Sequence, residues 1–463
     1  MPLLIKNGRI ITADADYHAD IYCASEQITR IEETIDAGSL PDDTEVIDAC
    51  GKYVFPGFID PHVHVHLPFM GTSAKDDHES ASRAAIVGGT TTYIEMICPA
   101  PDQEPMSAFN EWQGKAQGQS SCDYSFHLGV VRFDDIARDQ IRTIVRDYGI
   151  ASFKVFLAYK GALNISDENL FDLLTIGKEL GVITTAHCEN ATAIAAMQHK
   201  LLKEGKTGPE WHEPSRPVRV EAEGVHHLAT FAELTGAHVY AVHTSCAAAI
   251  NEARAAQARG VKLWVESVIP HFALDKTHAE QDNFEGAKYV MSPPLRDREN
   301  HDALWAALYS GVISTIGTDH APFDFKGQKD MGKDNFTLIP NGIPSIQERV
   351  DLLYNLGVRT GRIDLNTFVR VASTNAAQIF GLTNKGTIAV GADADLVIYD
   401  PDHEHRISVT TQESRVDYNA FEGWDLTGRA EVVTVRGSIM ARAGRFVGEP
   451  GRGKLIKRQP NHF

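Results

Sequence analysis

The chain has 463 residues, 43% hydrophobic and 23% charged, with 44 Lys plus Arg against 62 Asp plus Glu and a formal charge of −18. This is ordinary globular usage and excludes disorder as the main state. The acidic balance argues against a nucleic-acid or anionic-membrane partner, which would require a basic stripe.

The chain starts MPLLIKNGRIITADADYHAD, where Lys6, Arg9 and early aspartates break the apolar run, so it reads as neither a signal peptide nor a transit peptide. No apolar run approaches the roughly 18 residues of a membrane helix. Cys23, Cys50, Cys98, Cys122, Cys188 and Cys246 are scattered without a CxxC pair, which fits free thiols in a cytoplasmic protein. Residues 3–11 (LLIKNGRII) and 20–32 (DIYCASEQITRIE) read as short strands separated by turns. Near the other end, 387–399 (TIAVGADADLVIY) and 431–447 (EVVTVRGSIMARAGRFV) repeat the pattern, with Gly437 and Gly444 at turns. Both ends together predict one small β domain. The closing GRGKLIKRQPNHF is basic and reads as a tail or an arm onto a neighbouring subunit.

The middle alternates apolar runs with helical stretches. Eight strand candidates follow in order: YVFPGFIDPHVHV, TTTYIEMI, DYSFHLGVV, GIASFKVFLAY, GVITTAHC, AHVYAVHTS, VKLWVESV and GVISTIGTDH. Helices are predicted between them, among others at 167–180, 222–235 and 246–259. Eight such units suggest an α/β fold, a (β/α)8 barrel. The polar, Gly- and Pro-rich stretch 324–346 reads as a loop over the barrel mouth.

His62 and His64 form an H-x-H on the first strand, where side chains two apart point the same way. His187 ends the fifth run, His243 the sixth and Asp319 the eighth, while Lys154 lies in the fourth. Barrel strands deliver their C-terminal ends to one place, so four histidines and a carboxylate would meet there. These are the ligand types of zinc and similar divalent metals. Lys154 sits among apolar neighbours that favour its neutral amine, which could add carbon dioxide to become a carbamate. On the residues alone, a lysine paired with a carboxylate is the simpler reading. His66, two after His64, is expected on the same face, lining the substrate pocket. Cys188 and Cys246 read as small buried residues, His320 as a structural hydrogen-bonder, and Glu95 and Glu266 as buried partners of the ligands.

PGFIDPHVHVHLPFMGT, SFKVFLAYKG, AHCEN, AVHTS and GTDHAPF, in this order, resemble the cyclic amidohydrolases, and most closely the dihydropyrimidinase and hydantoinase family. GPEWHEPSRP, KYVMSPPLR, IPNGIPSIQER, KGTIAVGADADLVIYDP and DYNAFEGW extend the resemblance over nearly the whole chain. The resemblance implies a barrel at 54–384 beside a β-sandwich domain formed by 1–53 with 385–463. It implies two divalent metal ions, usually zinc, with Lys154 N6-carboxylated as the bridge. His62, His64 and Asp319 would hold one ion, and His187 and His243 the other. Asp319 would be general base and then acid. Tyr159 would donate to the developing oxyanion, and Ser292 and Asn341 would hold the imide edge of the ring through backbone groups.

The implied activity is hydrolytic opening of a cyclic amide, with a dihydropyrimidine ranked first, giving an N-carbamoyl β-amino acid, and a 5-substituted hydantoin close behind. The alternative of another class is a non-catalytic scaffold, which intact ligand positions oppose. Position 66 separates relatives: dihydroorotases usually carry arginine there and allantoinases often asparagine, whereas this chain has His66. The ring substituent would be read by loops near 66–73, 97–105 and 159–163. A homotetramer or homodimer is expected from the family, with no nucleic-acid or membrane partner.

Overall fold

The computed structural model describes residues 2–460. Eight parallel strands form the central sheet: β1 (Phe58–Val63), β2 (Thr90–Ile97), β3 (Asp123–Gly129), β4 (Ser152–Phe156), β5 (Ile183–His187), β6 (Val239–Ala241), β7 (Leu263–Val268) and β8 (Thr315–Gly317). Each pairs with its successor in the chain. All eight fall inside the runs expected to form strands. Every residue of β2 to β5 is buried, as expected for a parallel sheet covered on both faces.

The edge strands β1 and β8 close the barrel just beyond their regular pairing. His64 N donates to His320 O at 2.9 Å and Asp319 N to His62 O at 3.0 Å. Thr318 Oγ1 adds a bond to Asp60 Oδ2 at 2.6 Å. The fold is therefore a (β/α)8 barrel. Its outer helices include Asp167–Leu180, Val218–Thr235 and Ala247–Ala258. The first of these starts where Ser166 caps the Asn169 amide and stops at left-handed Gly181.

The chain ends form one continuous nine-stranded sheet, from Leu3–Ile11 and its neighbours through Tyr53–Pro56 to Leu396–Arg406, Asp425–Val435 and the last hairpin. It encloses its own apolar core, including Leu3, Ile10, Ile21, Val54, Leu396 and Ile398. Tyr53–Pro56 belongs to this sheet and Phe58 to the barrel, so the chain crosses between them at Gly57.

Two expectations need correction. Only the end of the predicted strand 387–399 is strand, beginning at Leu396, because the chain turns at Gly391, where φ is +92°. The C-terminal segment is not an arm reaching away from the chain over its described part. It lies along the barrel, with Tyr124 N donating to Lys454 O, Ile456 N to Tyr124 O and Arg458 N to Gly149 O. Arg458 is buried, donating to Ser125 Oγ at 2.9 Å and Ser152 Oγ at 2.8 Å. Among the described residues no helix is long and apolar enough to cross a membrane.

Candidate metal centre and substrate cavity

Barrel closure brings Asp319 beside the H-x-H. Asp319 Oδ1 lies 3.1 Å from both His62 Nε2 and His64 Nε2, which are themselves 3.3 Å apart. The His243 ring lies 5.3 Å from that of His62 and 4.5 Å from that of His187, centroid to centroid. Candidate ligand atoms of His62, His243 and Asp319 all fall within 4.8 Å of one another. This trio straddles the two ligand sets that the family resemblance implies.

The electrostatics fit a cation. Burial opposes charge on His62, but Glu266 and Asp319 outweigh it and lift the ring to about 9. The two carboxylates thus favour positive charge at this ring. Burial instead lowers His64 to about 4 and pushes His187 and His243 down, leaving neutral imidazoles, the ligating form. Asp319 is held well below the usual carboxylate range by His62 and His64, against its burial.

His243 Nδ1 and Lys154 Nζ are among the buried polar atoms here that lack a hydrogen-bond partner. The simpler reading of Lys154, an amine paired with a carboxylate, does not hold: burial lowers its pKa and no carboxylate hydrogen-bonds it. Buried, unpaired donors and acceptors are costly unless something else satisfies them. Three neutral imidazoles, a fourth held by carboxylates, the Asp319 carboxylate and an unpaired amine gathered together therefore fit a metal centre.

Partners behind the ligands orient them. Glu266 Oε2 accepts from His62 Nδ1 at 2.7 Å and from the His243 amide at 3.0 Å. His187 Nε2 lies 2.7 Å from Glu189 Oε2, so Nδ1 is the atom left to face the site. Glu189 is buried, yet Arg216 and His187 bring it down to about 2. The Arg216 guanidinium also lies 5.4 Å from the Tyr159 ring centre. Glu189 and Arg216 were not singled out from the sequence, although Glu189 stands two residues after His187, in AHCEN. Glu95 instead accepts from the Val65 amide and lies 3.0 Å from His78 Nε2. His320 is spent on Asp76 and the Ser345 amide. The Cys188 and Cys246 thiols are buried and their pKa values raised by burial.

A small inner space of about 40 Å³ is lined by His64, Lys154, His187, His243, Asp319, Tyr159, Ser292 and Asn341, among others. His62 sits behind it, against His64 and Asp319. Asn341 Nδ2 donates to Ser292 Oγ at 3.0 Å. The inner space shares Phe69, Cys98, Tyr159, Leu163 and Asn341 with an outer cavity of about 530 Å³. Pro68, Met70, Pro99, Ile194 and Ala195 make much of the outer wall, and all three loops expected to read the substituent contribute to it. Burial pushes the Tyr159 hydroxyl up to about 12, so it stays a donor.

His66 is the predicted site residue that the structure does not bring here. Strand β1 ends at Val63, and His66 takes a left-handed φ of +56° that breaks the alternation with His64. Its ring lies 5.8 Å from that of His78 and lines neither cavity.

The chain matches the model of the amidohydrolase family over residues 53–440. It is 45% identical over 460 residues to D-hydantoinase of Geobacillus stearothermophilus, covering 99% of this chain and 97% of that protein. It is 37% identical over 462 residues to dihydropyrimidinase of Rattus norvegicus, covering 99% and 89%. A solved D-hydantoinase (dihydropyrimidinase) from Thermus sp. matches with a TM-score of 0.97 at 58% identity, covering 100% of both chains.

Proposed function

The chain belongs to the amidohydrolase family and is a hydrolase of the hydantoinase and dihydropyrimidinase type, acting on cyclic amides; from that premise we propose that it opens 5-substituted hydantoins to N-carbamoyl amino acids. The observation that carries this reading is the outer cavity. Its volume of about 530 Å³ and its walls of Phe69, Met70, Leu163 and Ile194 suit an apolar ring substituent. Dihydrouracil has no substituent to fill that space. The proposal thus reverses the order in which the sequence ranked the two rings, and dihydropyrimidines become the second substrate class.

His62, His64 and Asp319 would hold one divalent ion, and His187 and His243 the other, with carboxylated Lys154 between them. The unpartnered Lys154 amine supports that modification: Nζ bonds to the carbon of carbon dioxide and loses a proton. When bound, two such ions, with zinc the ion this donor set suits, supply a water that ionises near neutral pH and an electrophile for the ring carbonyl.

The chain's own groups do the rest. Asp319 takes the proton released as water adds to the ring carbonyl. It returns that proton to the ring nitrogen as the C–N bond breaks, leaving a carboxylate and an N-carbamoyl group. Tyr159 donates its hydroxyl to the oxygen that gains charge. Backbone groups at Ser292 and Asn341 hold the imide edge, and the apolar outer wall takes the substituent and excludes water. Free thiols at all six cysteines support a reducing, cytoplasmic setting.

The test is a panel of hydantoin, 5-phenylhydantoin, dihydrouracil, dihydroorotate and allantoin, with metal analysis of the same sample. The expected result is about two divalent ions per chain, fastest opening of 5-phenylhydantoin, and loss of activity in Lys154→Ala. Faster opening of dihydrouracil would restore the other order. Metal-loaded protein that opens none of the five would sink the reading.

A further inference from the structure

The loop expected over the barrel mouth carries two consecutive residues that reach to different walls of the cavity. Gln328 Nε2 donates to Thr72 Oγ1 and to Ser73 O, both at 2.7 Å, while its Oε1 accepts from the Asp324 amide at 2.6 Å. Thr72–Ser73 is one strand of a hairpin whose other strand, Pro68–Phe69, belongs to the apolar wall. Gln328 therefore ties the loop to the wall that would meet the substituent.

Lys329 turns to the polar wall. It is fully buried, and its Nζ donates to Val290 O at 3.0 Å and Pro340 O at 3.1 Å. Asn341 directly follows Pro340, and Ser292 lies two residues after Val290. The same Val290 carbonyl accepts the Gly342 amide at 2.9 Å. No carboxylate pairs with Lys329 among the ion pairs of the described residues, and burial brings its ammonium down to about 7. A buried amine in such surroundings is held in place by the acceptors it finds. Both acceptors here are carbonyls of the segments that carry the ring-holding residues.

We propose that Gln328 and Lys329 are a divided pair of positioning residues: Lys329 sets the spacing of the Ser292 and Asn341 segments that hold the ring, and Gln328 sets the hairpin that meets its substituent. The roles assigned to the two walls rest on the function proposed above; the mechanical division between them does not.

The experiment uses full-length, metal-loaded Lys329→Met and Gln328→Leu proteins, read by kinetics and by hydrogen exchange. Lys329→Met should raise KM for hydantoin and 5-phenylhydantoin alike, by about tenfold. Their ratio of kcat/KM should stay within about twofold. Gln328→Leu should instead shift that ratio by about fivefold or more. In exchange, Lys329→Met should loosen segments 289–293 and 339–343, and Gln328→Leu should loosen 67–74. Lys329→Gln, which keeps a neutral NH2 donor group, should fall between wild type and Lys329→Met, and it carries the test if Lys329→Met does not fold. Equal effects of both variants on both readouts, or no effect, would overturn the proposal. If the wild type opens neither ring, the proposed function fails, and the exchange pattern alone decides the division.

Discussion

His62 Nδ1 and Glu266 Oε2 meet at 2.7 Å, joining barrel strand β1 to β7. That bond fixes the ring so that Nε2 faces Asp319. Replacing Glu266 with alanine should therefore weaken metal binding by about 10–100-fold. Competition with a chromogenic chelator measures this directly. An unchanged affinity would mean that the ring is oriented by packing alone.

Tyr159 lines both cavities, with its ring 5.2 Å from that of His187. Tyr159→Phe keeps the ring and removes the donor. The expected loss is about 10²–10³ in kcat, with KM and metal content little changed. A loss confined to KM would make Tyr159 a binding residue only.

Lys385 Nζ lies 2.6 Å from Asp123, 2.7 Å from Asp395 and 2.9 Å from Asp393, tying the barrel to the sheet of the chain ends. Lys385→Met would leave the buried Asp395 carboxylate without its cation and Asp123 with Arg436 alone, at a cost of about 3–5 kcal/mol in urea unfolding. Burial pushes Asp123 up, but Lys385 and Arg436 outweigh it and hold its carboxyl below 3.8. A carboxyl with a folded pKa below its unfolded one stabilises the fold above 3.8, and this is lost as pH falls further. Burial opposes charge on Lys385, but the aspartates raise it above 10.5, so its contribution persists up to that pH and fades above it. The deficit of Lys385→Met should thus shrink in strong acid. A deficit independent of pH would rule out the ionic origin.

Arg458 closes the C-terminal segment onto the barrel, and burial lowers its guanidinium to about 9. Arg458→Ala leaves a void and strands the Phe126 carbonyl it serves. The expected loss is about 3 kcal/mol of stability, seen as a lower Tm, with kcat of the folded fraction little changed. An unchanged Tm would show that the segment packs without it.

Much of this molecule was readable from local pattern. Strand runs and helical stretches alternate at short range, so the eight barrel strands stood out. Histidines and the aspartate at run ends marked the centre, because a barrel gathers strand ends at one face. The polar stretch 324–346 announced a loop. His66 was misread for a local reason: the period of two holds only while the strand lasts, and β1 ends at Val63.

Residue type and spacing alone thus determined the barrel, the small β domain and the set of candidate ligands. Tertiary structure decided which of them touch. Closure between β1 and β8 sets Asp319 against His62 and His64, and no local pattern specifies a contact between segments so distant in the chain. It also decided that Glu189 pairs with Arg216, that Arg458 anchors the final segment, and that Gln328 and Lys329 part toward two walls. Each of those side chains is polar and buried or, for Gln328, half-buried, and its meaning lies in the partner that satisfies it, which only the folded chain supplies.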